Sequence, residues 1–131
     1  MSDEIRNHYD QDDIQKLNLD KDIKSWQNEI TFINTELDFF KKNIQFLLVD
    51  AQEVQNELLE KIKNLRERNN YYSLQLVDYY KDSEGIIECE DVHCETFYLN
   101  EHQSFKNELT QHVQRVRKLK REVFEQLLKK M

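Results

Sequence analysis

The chain has no proline, one glycine at position 85, two cysteines, and no apolar run longer than the four residues from Phe46 to Val49, in a length of 131 residues. Average usage would supply roughly six prolines and nine glycines at this length. Without them a turn-rich β-sandwich, a Rossmann unit or a Gly-rich phosphate loop is very hard to build. The fold class expected is therefore all-α. An apolar run this short falls far below a membrane span, and the first residues, Met1-Ser2-Asp3-Glu4, are acidic where a signal peptide is basic. The expectation is a cytoplasmic protein with no membrane partner. Cys89 and Cys94 are too few for a disulfide framework. If both sat on one helix, the rise over five positions would hold their Cα atoms beyond the roughly 7 Å limit, so they are expected to be reduced thiols.

What the chain has in abundance is charge and heptads. Of the 131 residues 34% are charged and 38% apolar, with a formal net charge of -7, so the core must be narrow and carried by periodicity. Ile23, Ile30, Leu37 and Ile44 recur every seventh residue, and Trp26, Ile33, Phe40 and Leu47 follow three positions behind. This 3-4 spacing predicts an amphipathic helix over about 20–49 with coiled-coil-like packing. A second row, Phe32, Phe39 and Phe46, widens its apolar stripe to about 160°. Such a helix has to meet more than one neighbour, and this row is the expected protein interface.

Asp50-Ala51-Gln52-Glu53 has the spacing of a capping box, which predicts a turn and a new helix start. The next seam, Leu58, Ile62, Leu65, Asn69, Tyr72, Leu76 and Tyr79, predicts a helix over about 51–81. Lys81 would complement its C-terminal dipole and Gly85 would close it. Tyr98, His102, Phe105, Leu109, His112, Val116, Leu119 and Val123 predict a third helix over about 92–130. The architecture expected is an antiparallel three-helix bundle spanning 20–131, preceded by an acidic arm at 1–19 that holds Asp10, Asp12 and Asp13. One alternative stands beside it. The every-seventh series runs on through Ala51, Leu58, Leu65, Tyr72 and Tyr79, so a single helix over 20–81, about 90 Å long, with the last helix folded back on it, is also conceivable. Lys61, Arg68 and Gln75 in the companion row argue against it, because a continuous seam would not bury them.

Chemistry is sparse. Cys89, His93 and Cys94 fall within six residues, but no second ligand pair exists for a structural zinc site. Glu90-Asp91-Val92-His93 is the only Glu-x-x-His, and no carboxylate stands in the apolar seam of the first two helices, which argues against a di-iron bundle. His102 and His112 are ten positions apart, about 15 Å along a helix and too far to share a metal; each reads as a core-edge histidine bonded to a neighbouring Tyr or backbone group. Asn69 reads as a buried amide that sets register. The nine serines and threonines lie in no nucleophile motif. No catalytic residue, metal, cofactor or small-molecule substrate is indicated, and no enzyme is expected.

A dense basic run, Arg115, Arg117, Lys118, Lys120 and Arg121, suits phosphate neutralisation. It lacks the interleaved aromatics that read single strands, and the chain as a whole is acidic. The function expected is a non-enzymatic interaction or structural protein, self-associating as a homodimer or pairing with another helical protein. Two alternatives are a thiol or metal sensor at Cys89, His93 and Cys94, and a nucleic-acid-binding adaptor using the basic run.

Overall fold

The computed structural model describes the backbone of residues 2–83 and 89–131, and side chains over 19–81 and 89–131. Three helices follow in order: α1 Ser2–Leu47, α2 Gln52–Ser83 and α3 Val92–Leu128. Among the described residues there is no strand. They pack as an up-down-up three-helix bundle, and the single helix over 20–81 does not form.

In the segment expected as an acidic arm at 1–19 the backbone is helical from Ser2, as the first part of α1. With no proline or glycine before residue 20, the sequence there holds no helix breaker. The backbone of residues 2–18 belongs to α1.

The break between α1 and α2 falls where expected, but its chemistry differs. Asp50 is one residue too early to be the cap. Ala51 takes the flanking position and its carbonyl accepts from the Gln55 amide at 2.9 Å. The Asp50 carboxylate, almost fully exposed, lies 3.7 Å from Lys130. The last carbonyls of α1 are covered from the other side of the turn, where the Gln55 side-chain Nε2 donates to Ile44 O at 3.3 Å and Gln45 O at 3.2 Å. Gln45 O belongs to the last turn, whose carbonyls a helix leaves without partners of its own, while Ile44 O also accepts from Leu48 N at 3.1 Å. α2 runs two residues beyond its expected end, to Ser83, and the closing role expected of Gly85 lies outside the described residues. At α3 the cap is Asp91, extended in backbone, whose carboxylate accepts from Cys94 N at 2.8 Å.

The seams fill the core in two apolar clusters. One gathers Ile33, Leu37, Phe40, Ile44, Leu48, Leu58, Ile62, Val116, Leu119 and Val123. The other gathers Ile23, Ile30, Tyr72, Leu76, Phe105 and Leu109, with Trp26 and Tyr79 against them. Leu47 is the seam position that fails: it is exposed, while Leu48 is buried in its place. A strict seven-residue row drifts about 20° per heptad on a 3.6-residue helix. By the end of α1 the Trp26 row has rotated to the edge, and Leu48 comes onto the core arc.

Candidate functional site

Between the apolar clusters lies a polar layer. Asn69, on α2, is fully buried and donates from Nδ2 to Ile30 O and to Asn34 Oδ1 of α1, both at 2.9 Å. Its Oδ1 meets His112 Nε2 of α3 at 2.9 Å, so one amide links all three helices. Burial first, then the charges of Arg68 and Arg115, pushes the His112 pKa down from 6.5 to about 4. The imidazole is therefore neutral near pH 7, and because an amide oxygen only accepts, the proton sits on Nε2. Its Nδ1 has no hydrogen-bond partner.

A second node stands nearer the α3 N-terminus. His102 Nε2 faces Asp22 Oδ2 of α1 at 2.9 Å, and its Nδ1 is bonded to the Tyr79 hydroxyl of α2. Trp26 stacks on the imidazole with centroids 4.8 Å apart. An Asp-His-Tyr chain invites comparison with an activated nucleophile, but burial, with Glu101 and Asp22 after it, pushes the Tyr79 phenol up, well away from ionisation. The chemistry here is a three-helix clamp. Neither node was visible as a unit in the sequence. Asn69, His102, His112 and Tyr79 stand out as seam positions, but Asn34 and Asp22 are ordinary flank residues whose partners only packing supplies.

The cysteines are bonded to each other: Cys89 and Cys94 form a disulfide with Cα atoms 5.5 Å apart. This corrects the expectation of reduced thiols. The distance argument assumed a shared helix, but Cys89 precedes α3, and the extended Asp91 turns the chain so that Cys94 in the first helical turn comes within bonding range. Both sulfurs are thereby withdrawn from metal ligation in this state, and His93 is exposed. Among the described residues no group of three or more His, Cys, Asp or Glu side chains is placed to hold a metal ion.

The phenylalanine row lies outside the core. Phe32, Phe39 and Phe46 are 57%, 62% and 83% exposed. Phe39 meets Phe40 edge-on at 6.0 Å, and Phe40 meets Phe124 of α3 at 5.5 Å. The apolar surface thus reaches α3, where Phe124 and Leu128 are also exposed. The row is outside because α2 and α3 together cover only the opposite arc of α1, with Asn34 and Asp38 turned to α2 and Glu36 and Phe40 to α3.

The basic run is split by the helix that carries it. Arg115 and Lys118 line a hollow of about 340 Å³ between α2 and α3. Lys120 turns the other way and is ion-paired with Glu36 of α1, while Arg117 and Arg121 are exposed. The five cations do not form one patch.

No helix among the described residues is long and apolar enough to cross a membrane. No family model matches this chain, and neither the curated proteins nor the solved structures yield a match.

Proposed function

We propose that the protein is a non-enzymatic helical-bundle interaction protein that self-associates through the outer face of α1. The observation that carries this reading is the Phe32, Phe39 and Phe46 row, more than half exposed at every position. Exposed single hydrophobes are ordinary, but three phenylalanines aligned at seven-residue spacing make an apolar strip of a few hundred Å², the size that marks interaction sites. A second copy is the favoured occupant, because an α1 strip of this spacing is self-complementary and a two-fold contact is the commonest way to close one. Burying each ring contributes roughly 1.5 to 3 kcal/mol. In sedimentation the wild type is expected to be dimeric at tens of micromolar, and Phe39→Glu to be a folded monomer of unchanged helicity. A wild type that stays monomeric at high micromolar concentration would refute the proposal.

A cytoplasmic location belongs to the same reading, and it makes the Cys89–Cys94 bond a reversible one, since disulfides there are transient. That pairing favours a thiol sensor as the second reading. Cys89 lies just before α3 and Cys94 in its first turn, so opening the bond would free the chain entering the helix. Thiol labelling across a series of glutathione redox poises tests it. Thiols that stay fully labelled at every poise would remove it.

A further inference from the structure

The hollow between α2 and α3 holds a juxtaposition that neither the bundle nor the phenylalanine face explains. The antiparallel register that sets Lys61 against Glu122 at 2.9 Å and Asn69 against His112 at 2.9 Å places Arg68 across from Arg115. The layer at Lys61 is neutralised. The next charged layer is not: Arg68, Arg115 and Lys118 line the same hollow with Asn64, Leu65 and Leu119, and among the described residues none of the three cations has an ion pair. Two guanidinium groups facing each other across a seam repel, and a chain with 26 carboxylates against 19 cations has acidic residues enough to relieve them. Glu122 shares the hollow but is held by Lys61. Both arginine charges also reach His112 behind the wall and help to lower its pKa, so the two converge on one place. Immediately alongside, a second hollow shares Asn64, Arg68 and Arg115 and adds Tyr71 and Tyr72, with Glu67 among its lining.

We infer that Arg68, Arg115 and Lys118 form a binding site for a phosphomonoester dianion whose aromatic or base group lies against Tyr71. The guanidinium fork matches phosphate oxygens two at a time, and Lys118 adds a third charge to a dianion that no single carboxylate carries. Tyr71 is more than half exposed and gives an aromatic group apolar surface to pack on, which a bare phosphate would not use. A continuous nucleic-acid track is disfavoured, because Lys120 is committed to Glu36 on the far side of α3 and the cations beside the hollow stop after one turn. The site lies on the α2 side of α3, away from the α1 phenylalanines, and stands whether or not the protein dimerises.

The test is an amide chemical-shift titration of the full chain with inorganic phosphate and with AMP, at ionic strength held constant with sodium chloride. Saturable shifts are expected over residues 64–72 and 112–119, with AMP binding several-fold more tightly than phosphate. Either Arg68→Gln or Arg115→Gln is expected to weaken both ligands at least tenfold, whereas Lys106→Gln leaves them unchanged. Relief of repulsion gives a second readout: without ligand, Arg115→Gln is expected to melt no lower than wild type. Shifts that fail to saturate, that sodium chloride reproduces, or that survive both arginine variants would overturn the inference. So would binding of a duplex oligonucleotide by a protein that ignores phosphate and AMP.

Discussion

At the scale of single residues, the bundle places its polar groups where they are most costly to misplace. Asn69 and His112 are fully buried, and a buried amide or imidazole left unpaired costs about 1 to 3 kcal/mol. Each supplies the other's partner, which penalises any shift in the α2–α3 register. The titration of His112 makes this testable. Its folded-state pKa is pushed down to about 4 from 6.5, so between those values the unfolded chain binds the extra proton and stability rises with pH. The contribution is fully present above about pH 6.5 and is lost as pH falls toward 4. Its upper size is about 3 kcal/mol, of which about 2 kcal/mol is lost by pH 5. Urea unfolding at pH 7 and pH 5 should therefore show wild type losing 1 to 2 kcal/mol more than His112→Gln. Identical losses in the two proteins would mean that His112 titrates normally in the fold.

At the scale of elements, the turn between α1 and α2 shows how a motif can mark the right place for the wrong reason. Asp50 and Glu53 have capping-box spacing, yet the Asp50 carboxylate faces Lys130 and the Gln55 side chain donates to the Ile44 and Gln45 carbonyls at the end of α1. A surface ion pair at 3.7 Å is worth little, whereas a side-chain bond to two helix-end carbonyls contributes about 0.5 to 1.5 kcal/mol. Gln55→Ala is accordingly expected to destabilise the bundle by about 1 kcal/mol, and Asp50→Ala by less than about 0.5 kcal/mol. Thermal melts of the two variants check the order, and a larger loss in Asp50→Ala would restore the capping box. The boundaries of α1 carry the same lesson. Its seam rows announce a helix from about residue 20, but the backbone is helical from Ser2, in a stretch without proline or glycine to break it.

At the scale of the whole molecule, the bundle is long for its mass. The accessible surface is 9654 Å², against roughly 7,400 Å² for a compact protein of this size. With 46 residues in α1, the longest helix spans about 69 Å at 1.5 Å per residue. Small-angle scattering of the Phe39→Glu monomer should give a maximum dimension near 70 Å, and a value near 90 Å would fit the continuous helix over 20–81 instead. A slender bundle has few side chains per layer, so each helix leaves a broad outer arc, and the outer arc of α1 carries the phenylalanines.

By itself the sequence determined the number of helices, nearly every buried seam residue, and the turn near residue 50. These follow from the 3.6-residue period and the scarcity of proline and glycine, which act within one stretch of chain. It also set Phe32, Phe39 and Phe46 on the flank of the core row, although only the arc left bare by α2 and α3 decided that they stay in water. Tertiary structure decided what faces what across the helices: Asn69 against His112 and Asn34, Tyr79 and Asp22 on His102, and Arg68 opposite Arg115. It also decided how the five cations of α3 divide between two seams, and that the chain before α3 bends enough to join Cys89 to Cys94. The physical reason is the same in each case. Register between helices is fixed by the sum of contacts across their faces, and no periodicity within one helix records it.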